Sequence, residues 1–338
     1  MTISKVKFEN FTAFKELEIE FSPGINIFIG KNSTGKTHIL KVVYSACDVA
    51  GSQESYPEKL LKNFLPSELR LGRLVHRQKV SNRGAVNVFQ GRKKIRVSFT
   101  NHTKKPESAR VIGAKQWSLR PVKCVYIPVK EMLANAPRFR SLYSNRDIHF
   151  EAIYADIIDR AFRPLLRGPM DSDRKKLLNI IQKGIDGKVI VKGEEFFLRN
   201  RQGQLEFTLL AEGLRKLGLL WLLIQNGTLL KGSVFFWDEP ETNLNPAFIG
   251  TVVEILLELQ RMGVQVFLAT HDYMVLKEFD LQAKNGDKLL YHSLYSDEKT
   301  QKINCQSTNT FLSIHPNTIA DTFLSIYDRD IGRATKTH

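Results

Sequence analysis

Eight residues near the N-terminus, Gly30 to Thr37, have the spacing G-x-x-x-x-G-K-T. Glycines at these positions let the backbone turn tightly, so that successive N–H groups face one concavity that suits phosphate. In such a loop Lys36 can reach the β- and γ-phosphates of a polyphosphate, and Thr37 can place its hydroxyl on Mg²⁺. We expect every residue of this loop, and the residue that follows it, to contact the ligand: Gly30, Lys31, Asn32, Ser33, Thr34, Gly35, Lys36, Thr37 and His38.

A phosphate-binding loop needs a strand before it and a helix after it, and the flanking sequence predicts both. Ile25, Ile27 and Ile29 belong to a short apolar stretch that is typical of a buried strand. The predicted helix runs from Lys36 to Val49, and its N-terminus adds partial positive charge where phosphates would lie. The alternative is a surface turn that contains glycine and lysine by chance, but motifs farther along the chain favour the phosphate site.

Two acids, Asp238 and Glu239, follow the apolar residues 234–237. A carboxylate at the C-terminal end of a strand beside a phosphate loop lies where a nucleotide is held. We therefore expect Asp238 to bind Mg²⁺ through water, and Glu239 to polarise the water that attacks the γ-phosphate. The alternative is an acidic pair at a strand end that binds no ligand.

A third strand end carries a histidine. Residues 264–270 carry no charge and end with Thr270. His271 follows directly, 32 residues after Glu239. A histidine at an adjacent strand end can hydrogen-bond a γ-phosphate and so respond to its presence. A single histidine is more often structural, but this position favours the functional reading.

With these motifs in order, the chain resembles the ATP-binding-cassette (ABC) ATPases, in the branch that includes the SMC, RecF and OLD proteins. Gly30–Thr37 is similar to the Walker A motif, Phe235–Glu239 to Walker B with its catalytic glutamate, Glu241–Asn245 to the D-loop, and His271 to the switch histidine. The opening residues 7–21 also look like the first hairpin of that branch. The resemblance implies Lys36, Glu239 and His271 as catalytic residues and ATP and Mg²⁺ as ligands.

In that family two subunits enclose two ATP molecules, and a signature helix of each subunit faces the phosphate loop of the other. The resemblance therefore implies a homodimer, with Ala211 and Gly213 contacting the partner's nucleotide. The family has serine at the position of Ala211 and glycine at that of Glu212. Loss of the serine hydroxyl implies slow hydrolysis. The glutamine loop of the family has no glutamine here, and Glu131 is the nearest acid that could replace it.

The charge of the chain is concentrated in one segment. Residues Arg70 to Lys123 contain 15 lysines and arginines and one acid, Glu107, a net +14 out of the +15 of the whole chain. Such a segment suits a polyanion, either nucleic acid or an acidic partner. The alternative is a solvated basic face that keeps the protein in solution.

The composition is that of a globular protein of 338 residues, with 42% apolar residues and three widely spaced cysteines. Few cysteines, no secretory signal and no apolar run of bilayer length predict a cytoplasmic protein without a membrane segment. We predict an α/β fold over residues 1–338, an ABC-type P-loop NTPase head. It has a basic antiparallel β subdomain at about 70–123 and a short helical lobe at about 147–185. We also predict that Val122–Pro128 is a central strand and that Asp328–His338 is a frayed tail.

The function that we expect is that of an ATP-driven switch. Small heads of this branch resemble the ATPase halves of bacterial anti-phage systems, which gate a separate nuclease or toxin, and this family analogy gives the first hypothesis. The second hypothesis is a DNA-clamping ATPase of repair or recombination, which the Arg70–Lys123 segment favours. A transporter subunit is the third hypothesis, and the degenerate signature argues against it.

Overall fold

The computed structural model describes residues 2–77, 80–145 and 148–335. Lys79 of the basic segment, Asp147 at the predicted start of the helical lobe and residues 336–338 of the predicted tail lie outside these ranges.

The described strands, in chain order, are β1 (Lys5–Phe11), β2 (Phe14–Glu20), β3 (Ile25–Gly30), β4 (Arg83–Gln90), β5 (Lys93–Thr100), β6 (Arg110–Ile112), β7 (Cys124–Ile127), β8 (Lys188–Lys192), β9 (Glu195–Asn200), β10 (Gly203–Glu206), β11 (Val234–Asp238), β12 (Gln265–Ala269), β13 (Leu289–Ser296) and β14 (Ile303–Thr308). The described helices are α1 (Lys36–Val49), α2 (Tyr56–Phe64), α3 (Ala114–Ser118), α4 (Phe139–Ser144), α5 (Ala152–Ala161), α6 (Ser172–Ile185), α7 (Glu212–Gln225), α8 (Ile249–Arg261), α9 (Tyr273–Gln282) and α10 (Thr318–Ala334).

The main sheet has six strands in the order β14-β13-β3-β12-β11-β7. All neighbouring pairs from β13 to β7 are parallel, and β14 pairs with β13 in the antiparallel sense. Strands β3, β11 and β12 are buried along their whole length. Parallel strands that are covered on both faces have no solvent-exposed face, which explains why these segments are apolar runs.

A second sheet joins the N-terminal hairpin to the basic segment. Its order is β2-β1-β4-β5-β6, and every pair in it is antiparallel. Helix α1 lies between this sheet and one face of the main sheet, and their apolar side chains form one core. The N-terminal hairpin and the basic β subdomain are therefore parts of one sheet.

Trp117 links the basic segment to the helix that follows the phosphate loop. Its side chain is buried, and its indole Nε1 donates a hydrogen bond of 2.6 Å to the carbonyl of Ala46 in α1. The segment that contains Trp117 consists of the strand β6 followed by the short helix α3. Gly113 separates the two elements, with a φ of 88° that glycine adopts readily.

Helices α5 to α9 cover the other face of the main sheet and form a second core with it. The region of the predicted lobe contains α5 and α6, and a three-stranded sheet in the order β10-β9-β8 follows them. The first strand of that sheet, β8, was not expected from the sequence.

The predicted position of one strand was wrong. The segment 122–128 forms β7, which lies at the edge of the main sheet and not at its centre. All four residues of β7 are nevertheless buried, because α5 packs against the strand. The guanidinium of Arg160 in α5 donates a 2.9 Å hydrogen bond from Nε to the carbonyl of Cys124. Apolar sequence could not distinguish a central strand from an edge strand that a helix covers.

The predicted tail was also partly wrong, since α10 continues to Ala334. Asn317 caps this helix by accepting a hydrogen bond of 3.1 Å from the N–H of Ala320. Phe323 stacks on Tyr273, with ring centroids 4.3 Å apart. The cap and this stacking contact favour helix over a frayed end.

All three cysteines are free thiols. Among the described residues, no helix has both the length and the apolarity to cross a bilayer.

Candidate functional site

The phosphate loop leaves β3 and enters α1 through two glycines that cannot be replaced without a clash. Gly30 has a φ of 139°, and a Cβ there would lie 2.2 Å from the carbonyl oxygen of Leu294. Gly35 has a φ of 92°, and a Cβ there would lie 2.4 Å from the ring of Phe14. The loop therefore rests on β13 on one side and on the N-terminal hairpin on the other. This close support holds the loop amides in place before any ligand binds.

Lys36 is buried beneath the loop. Its Nζ donates hydrogen bonds to the carbonyls of Gly30, at 2.8 Å, and Lys31, at 3.0 Å. Burial lowers the pKa of Lys36 to about 8, and the carboxylates of the neighbouring strand ends oppose part of that change. A buried ammonium held only by neutral carbonyls has an incomplete charge environment, which an anion in the loop completes.

The other loop residues differ in exposure. Lys31, Asn32 and Ser33 are exposed, whereas Thr34 is buried and donates its hydroxyl to the carbonyl of Lys31 at 2.9 Å. The side chain of Thr34 is thus used within the loop, and its N–H remains the group available to a phosphate.

His38, predicted to contact the nucleotide, lies on α1 against the N-terminal hairpin. Its Nδ1 is 3.1 Å from the hydroxyl of Thr12, and its ring packs against Phe64. Burial, together with the nearby Lys41 ammonium, lowers the pKa of His38 to about 4. The imidazole is therefore neutral at physiological pH and already has polar and aromatic partners within the protein.

Thr37 and Asp238 meet at the C-terminal edge of the main sheet. The Thr37 hydroxyl donates to Oδ1 of Asp238 at 3.2 Å, and the Tyr126 hydroxyl donates to Oδ2 at 3.0 Å. Burial raises the pKa of Asp238, and these two hydrogen bonds act in the opposite direction. Tyr126 was not singled out from the sequence, although its hydroxyl was a polar group in an otherwise apolar strand.

Glu239 and His271 face each other across the ends of β11 and β12. Their side chains are half-buried, with Nε2 of His271 3.6 Å from Oε1 of Glu239. Burial lowers the pKa of His271, and the Lys36 ammonium adds to this effect. Glu239 has a φ of 48°, an uncommon conformation for a residue other than glycine, and such strain is concentrated at functional sites.

Glu241, the first residue of the predicted D-loop, makes contacts in the site that the sequence did not predict. Its Oε1 accepts hydrogen bonds from the Thr270 hydroxyl, at 2.8 Å, and from the N–H of His271, at 2.9 Å. Its Oε2 is buried without a hydrogen-bond partner among the described residues. Burial raises the pKa of Glu241 to about 6. The carboxylate thus fixes the backbone that carries His271.

The predicted signature segment forms the N-terminus of α7. Ala211 is exposed at the N-cap position, without a side-chain cap, whereas Gly213 is buried against Leu244 of the D-loop. Glu212 accepts a hydrogen bond of 2.9 Å from the side chain of Asn243. The fully buried Lys216 lies 3.9 Å from Glu212 and donates to the carbonyl of Thr242.

The signature and D-loop segments of one subunit are therefore joined by direct contacts. Glu131, considered as a replacement for the loop glutamine, also belongs to this region. It forms a 2.8 Å ion pair with Nε of Arg215, and burial raises its pKa.

These positions define the chemistry that the site can support. Three neighbouring strands, β3, β12 and β11, end at one edge of the sheet. At that edge lie a cation, a hydroxyl paired with a carboxylate, and a second carboxylate beside a neutral imidazole. The N-terminus of α1 contributes unpaired amides because Gly35 provides no side-chain cap.

The donor set fits both parts of a nucleotide–metal complex. The loop and Lys36 suit phosphate, and the adjacent oxygens of Thr37 and Asp238 suit Mg²⁺, which prefers a few protein oxygens together with water and phosphate. The described ranges contain no group of three or more histidine, cysteine or acidic side chains suited to a metal.

Curated relatives are similar in sequence to this chain over part of their length. The DNA replication and repair protein RecF of Streptococcus thermophilus is 31% identical over 113 residues, which make up 33% of this chain and 30% of the relative. RecF of Clostridium kluyveri is 30% identical over 126 residues, 37% of this chain and 34% of the relative. The chain thus spans about a third of the length of the curated relatives that it matches.

Solved structures of SMC heads share the fold. An SMC head bound to the C-winged helix domain of ScpA superposes with a TM-score of 0.58 at 13% identity, over 91% of this chain and 98% of the other. A Pyrococcus furiosus SMC head with an extended coiled coil gives 0.55 at 12% identity, over 97% and 99% of the two chains. The predicted α/β fold of an ABC-type P-loop head is thereby confirmed.

A family model covers most of the sequence. Residues 25–277 match the family described as "AAA domain, putative AbiEii toxin, Type IV TA system". This range begins with β3, which precedes the phosphate loop, and ends in α9, which follows the switch histidine. The chain belongs to this family of AAA domains, among the ABC-type ATPases related to SMC and RecF.

Proposed function

We propose that the protein binds and hydrolyses ATP and that this cycle switches a homodimer. The observation that carries the proposal is the convergence of Lys36 and Thr37, Asp238 and Glu239, and His271 at the ends of three adjacent strands. Catalysis by such a site consists of placement and electrostatic stabilisation, since the protein forms no bond to phosphate.

Each residue then has one task. The loop amides and Lys36 neutralise phosphate charge, for which Lys36 leaves its contacts with the carbonyls of Gly30 and Lys31. Glu239 accepts a proton from the attacking water, and the neutral His271 beside it donates a hydrogen bond toward the γ-phosphate. When bound at Thr37 and Asp238, Mg²⁺ supplies a positive charge that neutralises the phosphate oxygens.

The position of the signature segment supports the proposed dimerisation. The exposed end of α7 at Ala211 presents helix amides that no side chain of the described residues caps, a suitable surface for the phosphates bound by a second copy. The absence of a hydroxyl at Ala211 and the negative charge of Glu212 support slow hydrolysis.

The partner of the switch is proposed to be a separate effector protein, a nuclease or toxin, in bacterial anti-phage defence. The toxin–antitoxin description of the family supports this role. The related SMC head bound to a domain of ScpA gives a precedent for a head of this fold that carries a partner protein.

The substitution Glu239→Gln tests the switch directly. It keeps the size and hydrogen-bonding shape of the side chain but removes the base, so ATP should bind and not be consumed. We expect the variant to elute as a dimer with ATP and Mg²⁺ in light-scattering chromatography and to hydrolyse ATP about 100-fold more slowly than the wild type, within the usual range for a lost general base.

Lys36→Ala is the matched control, because it removes phosphate binding and should remain monomeric under the same conditions. Hydrolysis by Glu239→Gln at the wild-type rate would show that another group activates the water.

A second function, clamping of DNA, is favoured by the exposure of the basic segment. Apart from Arg70 and Arg96, its cations form no ion pair among the described residues, and most of their side chains are exposed. The RecF relatives are DNA replication and repair proteins. If this function is correct, DNA affinity should fall steeply with salt and should disappear when Arg92, Lys93 and Lys94 are replaced by glutamate.

A further inference from the structure

A cavity of about 460 Å³ lies far from the phosphate loop, at the opposite end of the main sheet. Its walls are the end of β4 and the two segments that lead into β7 and β11. Strand β11 begins beside the cavity at Val234 and ends with Asp238, its fifth residue. At about 3.3 Å per residue, the two sites are roughly 15 Å apart along the strand. A ligand in the cavity would therefore not contact the nucleotide site.

All the charged residues that line the cavity are positive. Arg120, Lys123 and Lys231 are its charged residues, no acid contributes to it, and the rest of the lining is polar, apolar or glycine. All three side chains are exposed, and none forms an ion pair within the described ranges. Three cations around one concavity, without a counter-charge, create a positive potential that attracts an anion.

Two buried polar side chains complete the lining. Gln90 is 4% exposed and Ser233 is 3% exposed. The Nε2 atom of Gln90 and the Oγ atom of Ser233 have no hydrogen-bond partner among the described residues. A buried donor without a partner costs free energy, so such groups in folded proteins normally face water or a ligand.

The backbone around Ser233 is fixed, which makes its free hydroxyl a stable feature of the wall. Its N–H donates to the carbonyl of Leu230 at 3.0 Å, and its own carbonyl accepts from the N–H of Gln265 at 3.0 Å. The next residue, Val234, donates its N–H to the carbonyl of Lys123 at 2.9 Å, which joins the two loops of the cavity. The hydroxyl is the one polar group of Ser233 that has no use in the fold.

We propose that this cavity is a binding site for a phosphate group, distinct from the ATP site. Two buried neutral donors and three exposed cations match a tetrahedral oxyanion, which needs both hydrogen bonds and charge neutralisation. The phosphate comes from a free polyphosphate or from a nucleic-acid strand. The second source agrees with the turn at Gly91 and Arg92, which directly follows Gln90 and extends the positive surface away from the cavity.

The test measures binding of pyrophosphate, and separately of a single-stranded DNA dodecamer, to the full-length chain with Lys36→Ala, so that the phosphate loop does not contribute. Calorimetry is then repeated with Lys231→Glu or with Gln90→Leu added, and with Lys188→Glu as an exposed lysine outside the cavity. We expect both cavity variants to lose about tenfold or more in affinity, the usual effect of removing a hydrogen bond to a charged group, and the control to lose nothing.

Loss of pyrophosphate binding in the cavity variants identifies a small polyphosphate site. Loss of DNA binding alone identifies the backbone of a nucleic acid as the source. Absence of binding for both probes, or equal affinity in the cavity variants and the control, overturns the proposal. Lys231→Glu in an otherwise unchanged chain should keep the wild-type ATPase rate, so a failure of this proposal is distinguishable from a failure of the proposed switch.

Discussion

At the scale of single residues, burial sets the ionisation of the nucleotide site. It lowers the pKa of Lys36 to about 8, lowers that of His271 and raises that of Asp238. Each of these changes reduces the charge that the site carries without its ligand. Binding of phosphate and a cation would restore the charged forms, so we expect the free energy of binding to be coupled to proton uptake and release.

Tyr126 is expected to keep Asp238 ready for a cation. Replacement by phenylalanine removes the hydrogen bond to Oδ2, which raises the pKa of Asp238 further and weakens its interaction with Mg²⁺. The Mg²⁺ concentration for half-maximal ATP hydrolysis should rise about tenfold, as for other hydrogen bonds to charged groups. Tyr291→Phe, at a buried tyrosine of the same sheet, is the control. Equal Mg²⁺ dependence in the two variants would contradict the role of Tyr126.

The raised pKa of Glu241 predicts that the stability of the folded protein depends on pH. Its folded-state pKa of about 6 lies above the ordinary value, so the folded chain holds this proton more tightly than the unfolded chain. The stabilisation from this tighter proton binding is complete below the pKa that Glu241 has in the unfolded chain. It is lost as the pH rises through the folded-state pKa of about 6. Between pH 5 and pH 7 the free energy of unfolding should fall by about 1 kcal/mol in the wild type for this reason.

In Glu241→Gln that loss should be absent, because the amide does not titrate and its oxygen can still accept from Thr270 and His271. Urea unfolding of both proteins at the two pH values measures the difference. Parallel pH curves would show that Glu241 is not the responsible group.

Sequence reasoning placed Lys36 and Thr37 after the phosphate loop, at the start of α1. It placed Asp238, Glu239 and His271 at strand ends, and the structure brings all five residues to one edge of the sheet. The sequence did not predict the contact of Tyr126 with Asp238, nor those of Glu241 with Thr270 and His271. Their roles depend on which strands are neighbours and on a turn that folds back, and a linear pattern carries neither kind of information.

At the scale of elements, the sequence predicted those segments whose periodicity decides their structure. The hairpin of β1 and β2 and the bounds of α1 agree with the prediction. The order of strands does not follow from periodicity, which is why β7 was misplaced. The pairing of the N-terminal hairpin with the predicted antiparallel subdomain was missed for the same reason, because β1 and β4 are separated in the chain by the phosphate loop and two helices.

A buried charge cluster joins three of these elements. Lys59 of α2 lies between Asp48 of α1, at 2.8 Å, and Asp156 of α5, at 2.7 Å. Lys59→Met would leave the two carboxylates without this cation, so the free energy of unfolding should fall by about 3–5 kcal/mol.

Lys62→Met on the same helix is the matched control. Lys62 pairs with Glu54 at the surface, and the loss of such a pair changes stability by about 1 kcal/mol or less. Denaturant titration of both variants compares the two effects, and similar losses would mean that the cluster contributes no more than a surface ion pair.

At the scale of the whole molecule, the proposed active site is complete only when a second copy contributes its signature helix. Ala211→Arg places a bulky cation on the exposed end of α7 and should abolish hydrolysis without unfolding the chain. Lys36→Ala should be inactive because its own loop cannot bind phosphate.

A mixture of the two inactive variants provides the decisive measurement. In a two-fold dimer with one chain of each kind, one of the two sites combines an intact loop with an intact signature, so equal mixing should restore roughly a quarter of the wild-type activity. Leu281→Arg, at an exposed residue of α9, is the control for a surface arginine. A mixture without activity would exclude a shared site.

The hydrogen bond between Trp117 and the carbonyl of Ala46 has a spectroscopic consequence. The chain contains three tryptophans, so replacement of Trp221 and Trp237 by phenylalanine leaves this indole as the single emitter. The Trp117 indole lies at the contact between the basic segment and α1, the helix that follows the phosphate loop. A change in its emission on adding ATP, and separately on adding a polyanion, would show without any attached dye whether the two ligands move the same junction.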